Sequence, residues 1–202
     1  MIEKKIKVAV TGNIGSGKSS FCNFLSEKGY PIINADAVSK NILSEDGEIK
    51  KKVIKEFGEE SFVNNEINKK FLAEKVFSDP VKVLKINSIL HPKVKNKIES
   101  LANEYFIKYD IVFTEAALIY EADMESMFDY VVLITADYKI RKKRTTENAK
   151  LSEKDFDKRN DNQIKDEEKK KRADFVFENN LGINELRQKA GLLISILNGL
   201  NN

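Results

Sequence analysis

The sequence predicts an α/β fold in which a mostly parallel, five-stranded sheet is sandwiched between helices. Three observations carry that expectation. Short apolar or β-branched segments recur at 6–11 (IKVAVT), 31–34 (PIIN), 110–114 (DIVFT), 130–135 (YVVLIT) and 174–177 (DFVF). Between them lie stretches with apolar residues at three- and four-residue spacing, the period of a helix face. The first strand runs straight into a glycine-rich turn and then a helix. Strands that alternate with helical crossovers pair in parallel and need cover on both faces.

Taken in order, residues 6–11 alternate and then run apolar, as a buried strand does. Lys18 to Lys28 suits a helix with Phe21, Phe24 and Leu25 on one face and Gly29 as its cap. Residues 36–109 read as mainly helical, from VIKEF, FLAEKVF, VLKINSIL and VKNKIESLANEYF, punctuated by Gly58, Pro80 and Pro92. The last segment, INELRQKAGLLISILNGL, is an amphipathic closing helix. With no internal repeat and no Pro/Ser-rich linker, residues 1–202 are expected to form a single domain. Within it, 36–109 is a helical insertion.

Composition narrows the class. Hydrophobic residues at 41% and charged residues at 33% describe a core-forming globule rather than a disordered chain. Thirty-five Lys+Arg against 32 Asp+Glu leave a net charge of +3, too small for a general nucleic-acid coat. No charge-free apolar run approaches the ~18 residues of a membrane span, and the apolar part of MIEKKIKVAVTG is too short for a secretory signal. The single Cys22 rules out an internal disulfide framework, and one Cys with one His makes no zinc site. Cys22 lies on the apolar face of its helix and is expected in the core. A cytoplasmic setting is expected, with neither nucleic acid nor membrane as partner. Oligomeric state is not readable.

Residues 137–172 depart from the rest: 23 of these 36 positions are charged, 14 basic and 9 acidic. Their few large apolar residues (Ile140, Leu151, Phe156, Ile164) bury little, so the segment is expected to project from the core as a charged helical lid. The alternative is a merely solvated helical pair.

Gly12-Asn13-Ile14-Gly15-Ser16-Gly17-Lys18-Ser19 matches G-x-x-x-x-G-K-[ST] in full, between a strand and a helix. Glycines let the backbone close on phosphate oxygens. The N–H groups from Asn13 through Ile14, Gly15, Ser16, Gly17, Lys18 and Ser19 to Ser20 are expected to form an anion nest at the helix N-terminus. Lys18 should reach the β- and γ-phosphates of ATP, and the Ser19 hydroxyl should ligate Mg²⁺. This marks a nucleoside triphosphate site of P-loop type without naming a reaction.

A guanine-reading Asn-Lys-x-Asp motif is absent. Asn34-Ala35-Asp36 instead follows the second strand, at the sheet edge where ligands bind. A carboxylate there can take the proton of an attacking hydroxyl; the alternative is that Asp36 caps the next helix. Glu115, ending the third strand, is a candidate Mg²⁺ contact, direct or through water, or a simple strand-end acid.

At this point the chain resembles the dephospho-coenzyme A kinase family, over nearly its whole length. The family's TGGIGSGKS loop is matched from Thr11 to Ser19 with Asn13 for the second glycine. Its Asp-Ala-Asp is matched by Asn34-Ala35-Asp36. Its His-Pro pair is His91-Pro92, followed by Lys95 where Arg is usual. Its D-V-P-L-L-F-E stretch is matched loosely by Glu115 to Glu121, the proline replaced by Ala117. Arg141 and Arg144 match an R-x-x-R, Arg159 and Gln163 an R-x-x-x-Q, and Ala173-Asp174 through Asn179-Asn180 the A-D-x-x-I-x-N block. The resemblance implies transfer of the γ-phosphoryl of ATP to the ribose 3′-hydroxyl of dephospho-CoA. It implies Asp36, Lys18, Arg141 and Arg144 as catalytic residues, and Asp36, His91 and Glu121 as acceptor contacts. It makes 36–109 the acceptor-binding insertion and 137–172 the lid.

Composition supports the lid independently. Only 5 of the 35 basic residues are Arg, and four of them (Arg141, Arg144, Arg159, Arg172) fall in this segment. Planar, bidentate donors suit a transferring phosphoryl group; surface pairing with Asp and Glu is the alternative. His91 before Pro is as readily a structural residue as a contact. Two competing readings remain at this stage: another small-metabolite or nucleoside monophosphate kinase, and a nucleotide-dependent RNA-binding regulator using the basic arm.

Overall fold

The computed structural model describes residues 4–77, 79–148 and 151–201. Strands are β1 (Ile6–Thr11), β2 (Ile32–Asn34), β3 (Phe62–Val63), β4 (Glu66–Ile67), β5 (Ile111–Glu115), β6 (Tyr130–Thr135) and β7 (Phe175–Glu178). Helices are α1 (Lys18–Glu27), α2 (Ala35–Glu45), α3 (Gly47–Phe57), α4 (Lys69–Phe77), α5 (Pro80–Tyr105), α6 (Tyr138–Asn148), α7 (Glu153–Asp161), α8 (Asp166–Lys170) and α9 (Ile183–Asn201). Ala149 and Lys150 of the expected lid lie outside the described residues.

The main sheet has the order β2-β5-β1-β6-β7 with every pairing parallel. Register places Val10 and Asn34 beside Glu115, so the carboxyl ends of β1, β2 and β5 finish level. That levelness brings residues far apart in sequence to one edge, where each strand turns toward its crossover helix.

One sheet face packs on α1 and α9. Ile6, Val8 and Val10 of β1, Ile111 and Phe113 of β5, and Val132 and Ile134 of β6 meet Phe21, Phe24 and Leu25 of α1 and Leu186, Leu193 and Leu197 of α9. Residues of the opposite parity, Ala9, Val112, Val131 and Leu133, are also buried, so both faces are covered. Cys22 belongs to this core; burial, with Glu115 adding repulsion, pushes its thiol pKa up and keeps it protonated.

The chain divides into two compact units, one of Met1–Asn34 with Leu101–Asn202 and one of Ala35–Ser100. The second is mostly helical, as expected, with one addition. The β3–β4 hairpin (Phe62↔Ile67, Val63↔Glu66) turns through Asn64 and Asn65 at φ 50° and 66°. Two strands of two residues are too short to show a period of two, and the signal was the Asn-Asn pair, which tolerates a left-handed turn.

Pro92 also departs from expectation: it does not separate two helices but lies inside the continuous α5. An internal proline costs roughly 3 kcal/mol through its lost N–H and a clash with the preceding turn. Against this, Leu90, Val94, Ile98 and Ala102 are all buried at constant spacing across the proline. Burial of three large aliphatic side chains, roughly 1.5–3 kcal/mol each, outweighs the break.

Candidate active site

The site is built on the turn from β1 to α1. Gly15 and Gly17 adopt φ 77° and 101°, and both are sterically closed. A Cβ at Gly15 would lie 2.5 Å from the Arg141 carbonyl oxygen, and one at Gly17 would lie 2.3 Å from Asn179 Nδ2. Gly17 is the N-cap of α1, and no side chain caps the helix. Its first N–H groups and the positive end of its dipole are therefore left able to receive an anion. Ser16 is fully buried, and its hydroxyl has no partner among the described residues.

The expected nest is narrower than the motif implied. The Ile14 N–H donates to Gln163 Oε1 at 2.9 Å, and the Ser16 N–H donates to the Asn13 carbonyl at 3.0 Å. Both are thus engaged within the protein, because the loop's first half is fastened from outside. This corrects the expectation that every amide from Asn13 to Ser20 faces the ligand.

Ser19, at the second position of α1, donates its hydroxyl to Glu115 Oε1 at 2.6 Å, and Asn34 Nδ2 donates to Glu115 Oε2 at 3.2 Å. The level strand ends thus join Ser19 to Glu115, residues that no local pattern connects. A hydroxyl and a carboxylate oxygen are hard donors of the kind Mg²⁺ takes, so this pair fits the ion. Asp36 is exposed and is the second residue of α2, directly after β2. It lies inside the first turn rather than at the cap position, so the capping alternative does not describe it.

Arg141 and Arg144 of α6 occupy different environments. Arg141 is buried, and its donors are engaged by the protein: Nε to the Ala136 carbonyl (3.0 Å), Nη1 to the Ile14 carbonyl (3.2 Å) and to Asn160 Oδ1 (3.0 Å). Its Nη2 lies 3.9 Å from Asp166 Oδ2. Arg144, one turn on, reaches Asn179 Oδ1 at 3.5 Å, while its buried Nη1 has no partner among the described residues. Burial pushes the Arg144 pKa down, so an anion alongside would be strongly favoured. Asn179 also donates from Nδ2 to the Ser16 carbonyl at 2.8 Å, linking the end of β7 to the loop.

Glu121 accepts at Oε1 from Lys169 Nζ (2.9 Å) and from the Ile164 N–H (2.9 Å). Lys169 is fully buried and was not singled out in the sequence. Nothing local separates it from Lys170 and Lys171, and its partner Asn13 is 156 positions away. His91 is half-buried in the middle of α5, in the unit Ala35–Ser100.

A sequence model of the dephospho-CoA kinase family matches residues 6–185. The dephospho-CoA kinase of Chlamydia caviae is 38% identical over 188 residues, covering 91% of this chain and 92% of that protein. That of Chlorobium luteolum is 34% identical over 94% of this chain and 90% of its own length. Among solved structures, one from Thermus thermophilus has a TM-score of 0.82 at 30% identity, covering 99% of this chain and all (100%) of that one. The Campylobacter jejuni dephospho-CoA kinase has a TM-score of 0.72 at 27% identity, covering 97% and 98%. The shikimate kinase of Acinetobacter baumannii, at 15% identity and a TM-score of 0.55 over 98% and 95%, shares the fold alone. Phosphate loop, parallel strand order and family match run along the same length of chain, which belongs to the dephospho-CoA kinase family.

Proposed function

We propose the following division of labour for the ATP-dependent phosphorylation of dephospho-CoA on its ribose 3′-hydroxyl, the reaction that family membership gives this chain. The triphosphate lies at the N-terminus of α1, with Lys18 beside its β- and γ-phosphates. Asp36 orients the 3′-hydroxyl and takes its proton as the oxygen–phosphorus bond forms and the bond to the β-phosphate oxygen breaks, giving ADP and CoA. Arg144 turns its unpaired Nη1 toward the equatorial oxygens, where charge is greatest in a loose transition state. Arg141 acts from the same helix by holding the Ile14 carbonyl, so that loop and lid keep one geometry.

Ser19 and Glu115 would hold Mg²⁺, Ser19 by its hydroxyl and Glu115 directly or through water. When bound, the ion offsets phosphate charge. Residues 36–109 grip the acceptor, with His91 among the contacts, and residues 137–172 form the lid. Glu121, in the connection after β5, is the remaining acceptor contact of this reading. A cytoplasmic setting with no membrane or nucleic-acid partner is the accompanying reading. A net charge of +3 supports it, and no helix among the described residues is long and apolar enough to cross a membrane.

One observation carries this reading. The 2.6 Å Ser19–Glu115 hydrogen bond stands at the start of a helix without a side-chain cap. Hydroxyl, carboxylate and helix dipole converge there as a metal–triphosphate needs. The test is an acceptor panel with ATP and Mg²⁺: dephospho-CoA, AMP, CMP, dTMP and shikimate. Dephospho-CoA should be turned over in preference to all others, and preferred turnover of any other acceptor would refute the reading.

A further inference from the structure

Lys169 is a fully buried lysine that the reaction described above does not use. Burying an ammonium ion is costly unless each of its protons finds an acceptor. Here Nζ lies 2.9 Å from Glu121 Oε1, 2.8 Å from Asn13 Oδ1 and 3.5 Å from the Ala117 carbonyl. Glu121 supplies the compensating charge. Asn13, a residue of the phosphate loop, supplies a neutral acceptor, and that contact has no counterpart where the position is glycine.

The Asn13 side chain is used at both ends. While Oδ1 accepts from Lys169, Nδ2 donates to the Ile164 carbonyl at 3.1 Å. Ile164 in turn donates its N–H to the same Glu121 oxygen that pairs with Lys169. Next along the loop, the Ile14 N–H is held by Gln163. Three chain segments therefore close on one buried ion: the first half of the loop, the connection after β5, and the end of the lid. The loop must present its later amides in one fixed geometry, and two of its residues are pinned by this cluster.

We propose that Lys169 is a positioning residue for ATP binding, which acts through the Asn13 side chain to hold the phosphate loop in its binding conformation. It touches neither ATP nor acceptor. Its contact with Glu121 stabilises the fold; its contact with Asn13 tunes the loop. The two roles separate by experiment, because only the second needs an Asn side chain at position 13. The inference rests on the assignment of ATP to this loop, and its readout is ATP affinity without any acceptor. Absence of dephospho-CoA turnover in the wild type would overturn the family reading and leave this test intact.

The experiment is a cycle of Lys169→Met and Asn13→Gly, with ATP affinity measured by calorimetry and melting temperature measured alongside. Lys169→Met should weaken ATP binding about tenfold in the Asn13 background and less than twofold in the Asn13→Gly background, a non-additivity of at least about fivefold, or about 1 kcal/mol. Its loss of melting temperature should be similar in both backgrounds, since Glu121 is left uncompensated in each. An equal effect on ATP affinity in both backgrounds would overturn the proposal, as would none in either. Asn13→Gly keeps Lys169 paired with Glu121 and serves if Lys169→Met does not fold. It should weaken ATP binding several-fold with a smaller loss of melting temperature than Lys169→Met, and wild-type ATP affinity in that variant would equally reject the link.

Discussion

In the sheet unit, Asn13, Ser16, Arg141, Lys169 and Asn179 are all buried, and each has a polar atom hydrogen-bonded to a partner more than a hundred residues distant in the sequence. In the unit Ala35–Ser100, the buried side chains are aliphatic or aromatic: Ile49, Val53, Phe57, Leu72, Val76, Leu90, Val94 and Ile98. Ser61 is its one buried polar residue among those described. The difference fits the proposed roles of the two units. A triphosphate is bound largely by backbone amides, so the backbone itself must be immobilised, and buried hydrogen bonds with few alternative geometries do that. Apolar side chains pack helices without dictating one polar geometry, which leaves the exposed residues of that unit unconstrained by its core.

The comparison is sharpest at Asp36, an exposed carboxylate of the unit Ala35–Ser100 that we propose as the base. Asp36→Asn should lower kcat by ~10²–10⁴, the usual range for a general base. It should leave ATP affinity near wild type and cost no more stability than the ~0.3–1 kcal/mol of a helix-dipole charge. Wild-type turnover by this variant would remove Asp36 from the chemistry.

A second test sets glycines from the two units against each other. Gly15→Ala drives a methyl group into the Arg141 carbonyl at a positive φ and should destabilise the protein by about 2–5 kcal/mol in urea unfolding. Gly47, at the start of α3, has nothing within 4 Å of an added Cβ. Gly47→Ala should therefore stabilise by ~0.4–1 kcal/mol. Equal effects at the two positions would erase the distinction between a closed loop and an open helix.

Between these lies Arg144→Lys, which keeps the charge and loses the planar fork. It should reduce kcat about tenfold, ~1.4 kcal/mol, with little change in melting temperature. A large melting loss with kcat preserved would make Arg144 a structural pairing residue.

The smallest expected effect is electrostatic and belongs to the helical unit. Asp46 caps α3, accepting from the Glu48 and Ile49 N–H groups, and Lys93 lies 3.3 Å away. Chiefly the Ile49 hydrogen bond holds its carboxyl below the ordinary 3.8. A depressed folded pKa stabilises above the unfolded value and is lost as pH falls through the folded one. The melting difference between wild type and Asp46→Ala should therefore be full at neutral pH and shrink on acidification below 3.8. A difference that grew in acid would contradict the assignment.

Much of this protein was legible in its local chemistry. The strands at 6–11 and 130–135 are observed with the same bounds, the other three core strands shift by about one residue, and the glycine turn into α1 stands where the motif placed it. Such features depend on periodicity and on glycine conformations, which neighbours in sequence determine. Other features depended on which distant groups share a buried space. The pairing of Ser19 with Glu115 needed β1 and β5 to be sheet neighbours. The continuity of α5 through Pro92 needed enough apolar burial on both sides to offset a lost hydrogen bond. The choice of Lys169, from a run of like residues, as the one buried beneath the phosphate loop needed Glu121 and Asn13 to arrive from two other segments. A lysine's identity as surface charge or core ion lies in its partners, and only the folded chain supplies them.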